Sequence, residues 1–265
     1  MSSPRSRRSS NNRLTNPPIL ATRNLGLDIG GARIVVDVSL EVAEGELLGI
    51  IGPNGAGKTS LFNLLSGIYR PTSGSIELAG HDITGQPVAR RTREGLGRTF
   101  QVSSVFPLLT VHENARLAAE AALGGTLRVW RRAGAVKPAL ERAQAAIERV
   151  GLTRHGLLPA GALAHGDKRR LEIAMLLAAD KPVLLLDEPM AGLSAEHVPQ
   201  LVELIRTIHT EEKKTVLMVE HHMDVVTGLA QRIAVMHHGA LLACDTPAAV
   251  MANPTVQSAY LGEEL

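Results

Sequence analysis

The chain is predicted to be an α/β protein: a parallel sheet covered by helices, with a small antiparallel lobe at its edge and a helical insertion. Two observations predict this. Short runs such as "ELLGII" (46–51), "PVLLLD" (182–187) and "TVLMVE" (215–220) are apolar on both faces, as strands covered on both sides must be. Helical patterns at 58–67, 195–209 and 222–230 follow those three runs, the order of parallel strands joined by crossovers. No run of about 18 apolar residues occurs, so no segment is expected to span a bilayer.

Taken in order, residues 1–18, "MSSPRSRRSSNNRLTNPP", have almost nothing to bury and are expected to form a disordered basic tail. No apolar stretch follows, so a secretory signal is not expected. The tail holds Arg5, Arg7, Arg8 and Arg13 and no acid. Removing those four from 28 basic side chains leaves 24 against 26 acidic ones, a net of −2, which does not suit a nucleic-acid surface. Residues 19–265 are expected to form one nucleotide-binding domain without internal repeats. Within it, residues 20–45 alternate polar and apolar and lack a helix, which predicts the antiparallel lobe. An Ala-, Leu- and Arg-rich region without strand signals predicts the helical insertion, at about 112–180. "RIAVMHHGALLAC" (232–244) reads as a hairpin turning at His238-Gly239. The single cysteine, Cys244, excludes a disulfide framework.

The first strand runs into "GPNGAGKT" (52–59), the pattern G-x-x-x-x-G-K-[ST], and a helix follows. Gly52, Gly55 and Gly57 let the backbone curl so that its N–H groups point at an anion, helped by the helix N-terminus. Pro53, Asn54, Ala56 and Ser60 complete the binding loop. Lys58 is expected to reach the β and γ oxygens of a nucleotide, and the Thr59 hydroxyl to ligate Mg²⁺. The core is therefore expected to be a P-loop NTPase (RecA-like). In "LLLDEP" (184–189), Asp187 and Glu188 end a buried strand. Asp187 is expected to hold Mg²⁺ through water, and Glu188 to act as general base toward the attacking water. In "TVLMVEHHMDVV" (215–226), His221 sits at the rim where such sheets bind ligands, able to orient Glu188 and contact the γ-phosphate. The alternatives are two ordinary loop histidines, or a metal pair with His237 and His238, which no carboxylate or cysteine spacing supports.

With these residues in place, the chain resembles the nucleotide-binding subunits of ABC transporters from about residue 20 onward. By that resemblance Gln101 in "RTFQ" is the Q-loop glutamine, which touches Mg²⁺ and relays to the membrane partner. "LAHGD" (163–167) is the signature loop, carrying Ala164, His165, Gly166 and Asp167 toward a partner's ATP. "AGLS" (191–194) is the D-loop, and His221 the switch histidine. "GLGRTFQVSSVFPLLTVHEN" (95–114) and "NPTVQSAYLGEE" (253–264) are similar to one ATPase subunit of branched-chain, or hydrophobic, amino-acid importers. Urea and amide importers share the pattern. The lipopolysaccharide-export ATPase is similar but carries a different Q-loop. Soluble ABC ATPases of DNA repair or translation carry two nucleotide units or a long coiled coil, neither of which is present. A non-hydrolysing scaffold is opposed by Lys58, Asp187, Glu188 and His221.

The resemblance further implies a second ABC ATPase subunit as partner in a heterodimer, two transmembrane permeases and, indirectly, an external solute-binding protein. It implies ATP and Mg²⁺ as ligands, no nucleic acid, and a place at the cytoplasmic face of the membrane. Ala164 and Asp167 fit the importer subgroup's signature, whereas His165 departs from it. Asp167 is expected to turn back as a helix-start acid, its charge offset by Lys168, Arg169 and Arg170. Ile29 stands where an aromatic ring usually stacks on adenine, losing about 0.5–1.5 kcal/mol of stacking.

Overall fold

A computed structural model of the chain describes residues 17–99, 105–124 and 132–261. The basic tail up to residue 16, and Gln101, lie outside the described residues. The chain enters through the hairpin β1 (Leu20–Ile29) and β2 (Ala32–Val42), then passes through β3 (Leu47–Ile51) into α1 (Lys58–Ser66). β4 (Ser73–Leu78), β5 (His81–Asp82), α2 (Val88–Arg93) and the short β6 (Leu96–Arg98) follow. Next come α3 (Val111–Ala122), α4 (Arg132–Arg149) and α5 (His165–Ala179), the helices of the region expected to be an insertion. The remainder alternates as β7 (Val183–Asp187), α6 (Val198–Glu211), β8 (Thr215–Val219), α7 (Met223–Leu229), β9 (Arg232–His237) and β10 (Ala240–Asp245). Helices α8 (Pro247–Met251) and α9 (Pro254–Leu261) close it.

These strands make two sheets. One is antiparallel in the order β2-β1-β4-β5, and the other runs β10-β9-β3-β8-β7-β6. In the second, β9, β3, β8, β7 and β6 are mutually parallel and only β10 turns back, as the hairpin at His238-Gly239 predicts. The expected strands form within a residue or so of their predicted ends. β4, β5 and β6 have no counterpart in the sequence reading, because the last two are too short to carry a periodic signal.

The parallel strands split their side chains between two cores. Leu48, Ile50, Leu185, Leu217 and Val219 join the lobe's Leu25, Val38 and Ile76, with α1 supplying Leu61, Phe62, Leu64 and Leu65. Leu47, Ile51, Leu184, Val216 and Met218 face the other way, onto α5, α6 and α7. Gly49 lies between them, where a Cβ would fall 2.4 Å from a methyl of Val226, so helix α7 packs directly on the β3 backbone. In the helical region, Ala115, Ala119, Ala139, Ala143 and Ala146 are buried together, small side chains that let α3 and α4 approach closely. Helix α3 starts at a reciprocal cap. Thr110 Oγ1 accepts the Glu113 N–H at 3.1 Å and the Thr110 N–H reaches Glu113 Oε2 at 2.8 Å.

Helix α1 needs its carboxyl end satisfied inside protein, and a buried arginine does this. Arg91, 1% exposed, donates from Nη1 to the carbonyls of Leu64 (2.6 Å) and Leu65 (2.8 Å). Its Nε and Nη2 reach the carbonyls of Gln86 and Thr84, each at 2.9 Å. Burial pulls the guanidinium below its ordinary pKa, and the four carbonyls offset that desolvation. Arg91→Met keeps the apolar stem and strands those acceptors. It is expected to lower the unfolding free energy by about 3 kcal/mol, read as a smaller urea midpoint at unchanged slope.

Candidate functional site

The site follows from where three parallel strands stop. Ile50 of β3 and Asp187 of β7 flank β8, both in register with Val219. The residues just beyond, at 52, 188 and 220–221, therefore emerge along one edge of the sheet, where such folds bind ligands. Two bonds hold the exits together: the Glu188 N–H reaches the Val219 carbonyl at 2.9 Å, and the Glu220 N–H that of Ile50 at 3.4 Å.

The glycine-rich loop fits its place only without side chains. At Gly52 (φ 153°) a Cβ would lie 2.2 Å from the Met236 carbonyl oxygen. At Gly57 (φ 94°), the N-cap of α1, it would lie 2.8 Å from that of Ile34. The loop is thus wedged between β9 and β2, with Ala56 buried and Asn54 and Gly55 facing solvent. No side chain caps α1, whose first turn carries Lys58, Thr59 and Ser60. Lys58 is buried and donates from Nζ to the carbonyls of Gly52 (2.6 Å) and Pro53 (2.9 Å). Uncapped amides, a helix N-terminus and a fixed ammonium make a cradle for phosphate.

Asp187 is fully buried. Arg98 donates from Nη2 to its Oδ2 at 2.8 Å, and the Asp187 N–H reaches Thr99 Oγ1 at 3.2 Å. Oδ1, also buried, has no hydrogen-bond partner among the described residues. Burial pushes this carboxyl above the usual carboxylate range, and the bond from Arg98 opposes the rise.

Glu188 occupies the left-handed region, φ 47°, costly for a side chain with a Cβ and typical of functional positions. Its Oε1 lies 3.0 Å from His221 Nε2. A carboxylate only accepts, so Nε2 carries the proton of this contact. Glu220 fixes the backbone around the pair. Only 2% exposed, it accepts the Met190 N–H at Oε1 (2.7 Å) and the His221 N–H at Oε2 (3.0 Å).

The loop "LAHGD" opens α5, with Ala164 as N-cap and no side-chain capping bond. His165 Nε2 donates to the Ala191 carbonyl at 3.3 Å, tying this loop to "AGLS" (191–194) of the same chain. A Cβ at Gly166 would meet only ordinary contacts, the nearest His197 at 3.6 Å. The structure corrects one expectation. Asp167 lies in the first turn, but among the three neighbouring bases only Arg170 is ion-paired to it, at 3.6 Å. Arg169 points inward, buried against Glu172 at 2.8 Å, because residues two apart leave a helix in opposing directions.

The sheet edge thus gathers the 52–60 loop, Asp187, Glu188 and His221. Ile29, 49% exposed, ends β1 before the Gly30-Gly31 turn. Gln101 lies outside the described residues. Sequence reasoning did not assign roles to Arg98, Thr99 and Glu220. A signal existed for Glu220, a lone acid ending an apolar strand beside His221.

Residues 35–191 match the ABC transporter family, and residues 240–265 match the family described as branched-chain amino acid ATP-binding cassette transporter. The high-affinity branched-chain amino acid transport ATP-binding protein LivG of Salmonella typhimurium is 42% identical over 251 residues, 93% of this chain and 98% of that protein. BraF of Pseudomonas aeruginosa, of the same description, is 40% identical over the same shares. Among solved structures, a nucleotide-free ATP-binding cassette from an ABC transporter superposes with a TM-score of 0.80 at 26% identity, covering 92% of this chain and 99% of that one. The ADP conformation of MJ1267, an ATP-binding cassette of an ABC transporter, gives the same values.

Glu220→Gln leaves one carbonyl oxygen to do the work of two carboxylate oxygens. The amide that loses its acceptor, Met190 or His221, is expected to exchange with solvent about tenfold faster, the equivalent of one charge-assisted hydrogen bond. Hydrogen exchange resolved to residues 188–222 measures it, and unchanged protection at both amides refutes this role for Glu220.

Proposed function

The chain belongs to the ABC transporter family of ATP-binding proteins, and from that premise we propose that it binds and hydrolyses ATP to power uptake of branched-chain or other hydrophobic amino acids through partner permeases. The observation that carries the catalytic part is the 3.0 Å contact of His221 with Glu188, at the strand edge beside an uncapped, glycine-wedged loop. The matches to LivG, BraF and the branched-chain family over residues 240–265 carry the solute class.

In this reading the amides of 52–60 and the Lys58 ammonium hold the phosphates, neutralising charge where it gathers in the transition state. Thr59 and Asp187 would hold Mg²⁺, and Oδ1 of Asp187, buried and without a hydrogen-bond partner among the described residues, fits an acceptor kept for the ion. When bound, Mg²⁺ supplies charge neutralisation at the β and γ oxygens. Glu188 takes the proton of the water whose oxygen attacks the γ-phosphorus as the bond to ADP breaks. Its left-handed backbone, pinned on both sides, aims the carboxylate, while His221 Nε2–H holds one of its oxygens. The uncapped start of α5, at Ala164–Asp167, is offered to the ATP of a second ATPase subunit, the donors being backbone amides and the helix dipole.

Among the described residues no helix is long and apolar enough to cross a membrane, so the membrane role is assigned to permease partners. Their contact surface is supported by an apolar patch. Leu108 (93% exposed) and Leu157 (85%) stand beside Phe106 and Leu158, on loops joined by bonds from Val111 to Leu158 and from Ala160 to Leu109. Exposed leucines grouped in this way mark a partner surface.

Two measurements test the proposal. Glu188→Gln is expected to bind ATP with near-normal affinity and to lose at least about 10²-fold in turnover, since the amide cannot accept the water's proton. Turnover near wild type would remove Glu188 as base. The double variant Leu108→Asp, Leu157→Asp is expected to keep the melting temperature of the isolated chain within about 2 °C, because neither side chain is buried. It is also expected to fail to co-purify with the permeases. Retained co-purification would place their contact elsewhere.

A further inference from the structure

The side chain of Arg98 lies almost wholly inside the protein and bridges two elements, β7 and α1. Nη2 holds Asp187 Oδ2 at 2.8 Å, at the end of β7. Nη1 donates to Asn63 Oδ1 at 2.8 Å and to Ser66 Oγ at 2.7 Å, both on α1. The guanidinium carbon stands 5.6 Å from the centre of the Phe62 ring, which adds a cation–π contact on the same helix. Thr59, Asn63 and Ser66 are spaced i, i+4, i+7, so they share one face of α1. One planar, five-donor head therefore joins the strand that carries Asp187 to the helix face that carries Thr59.

We infer that Arg98 is a positioning residue for magnesium. It fixes Asp187 relative to α1 and divides the carboxylate, engaging Oδ2 and leaving Oδ1 for the metal. The inference rests on the ATPase reading above, and names a device for the metal that this reading leaves unassigned. Thr99 reinforces it through the Asp187 N–H, so Arg98, which ends β6, and the residue after it hold the same aspartate. The charge of Arg98 by itself works against a cation. An arginine placed here helps only if the ordering it imposes outweighs the repulsion, and this makes the sign of its effect informative.

The test is nucleotide binding rather than turnover. The full chain is titrated with a fluorescent ATP analogue in EDTA and in saturating Mg²⁺, giving the factor by which the metal tightens binding, a coupling between two ligands. In Arg98→Met the EDTA affinity is expected to stay within about twofold of wild type, since the loop and Lys58 are untouched, and the factor to fall to about one. In Arg98→Lys, which retains the buried charge should the methionine variant fail to fold, the factor is expected to be intermediate. A single ammonium cannot span Asp187, Asn63 and Ser66 together. A factor equal to or above wild type in the variants overturns the inference, as does an equal loss of affinity with and without metal. A wild-type factor of one would sink the magnesium reading of Asp187, and no wild-type nucleotide binding at all would sink the ATPase reading. Both are distinguishable from failure of Arg98 alone.

Discussion

Three parallel strands must stop in register, and the site depends on it. A parallel pair is offset by fixed, slanted bonds, so once Ile50 and Asp187 both pair with Val219 the next residues of each strand cannot be elsewhere. The loop at 52, the acid at 188 and the histidine at 221 are then neighbours whatever their separation in sequence. The two cores hold the register from both faces, because a slip of one residue would exchange Leu48 and Ile50 with Leu47 and Ile51. Burial that specifies the fold also specifies the chemistry.

Helix α1 converts that register into an anion site and transmits strain in one piece. Its start has no cap, since Gly57 is wedged against Ile34 and offers no side chain. Its end is over-satisfied, with Arg91 on two of its carbonyls and Gly67 closing the turn in the left-handed region. A helix frayed at its carboxyl end would let the amino end wander. With the far end anchored and Phe62 fully buried, the free amides stay where the loop puts them. The stability of one end thus serves the polarity of the other.

What was legible in the sequence is what short-range sterics dictate. The glycines at 52 and 57 stand where a Cβ would meet backbone, and the Asp-Glu pair and His221 end runs too apolar to be anything but inner strands. β5 and β6 were illegible, at two and three residues, since they exist only by pairing with distant segments. The role of Arg98 was hidden for the same reason, since Asp187 lies 89 residues away, whereas Glu220, though it reaches Met190 30 residues away, shows in the sequence as a lone acid ending an apolar strand. For Arg169, adjacency to Asp167 in sequence is not adjacency in space. Helical geometry sends it into the core beside Glu172, while Arg170 stays near Asp167. Of the expected site residues, Gln101 alone lies outside the described residues.

The alanine in the signature loop becomes intelligible at the same level. A serine at this N-cap would be drawn first to its own helix, where capping is worth about 1 kcal/mol. Helix α5 does not depend on that term, because Leu171, Ile173, Ala174 and Leu177 bury it in the main core. Nor does the loop need a hydroxyl for its shape, since His165 ties it to the Ala191 carbonyl. With Ala164 in place, no side chain of the N-cap engages the first amides of α5, and on the proposed reading they keep their donors for an anion brought by another chain. Asp167 shares its charge with Arg170, 3.6 Å away, which on the proposed reading lowers its repulsion toward a partner's phosphate. On the proposed reading, substitution at this position removes one donor to the partner's nucleotide. The helix dipole and the backbone donors that carry most of the attraction are left intact.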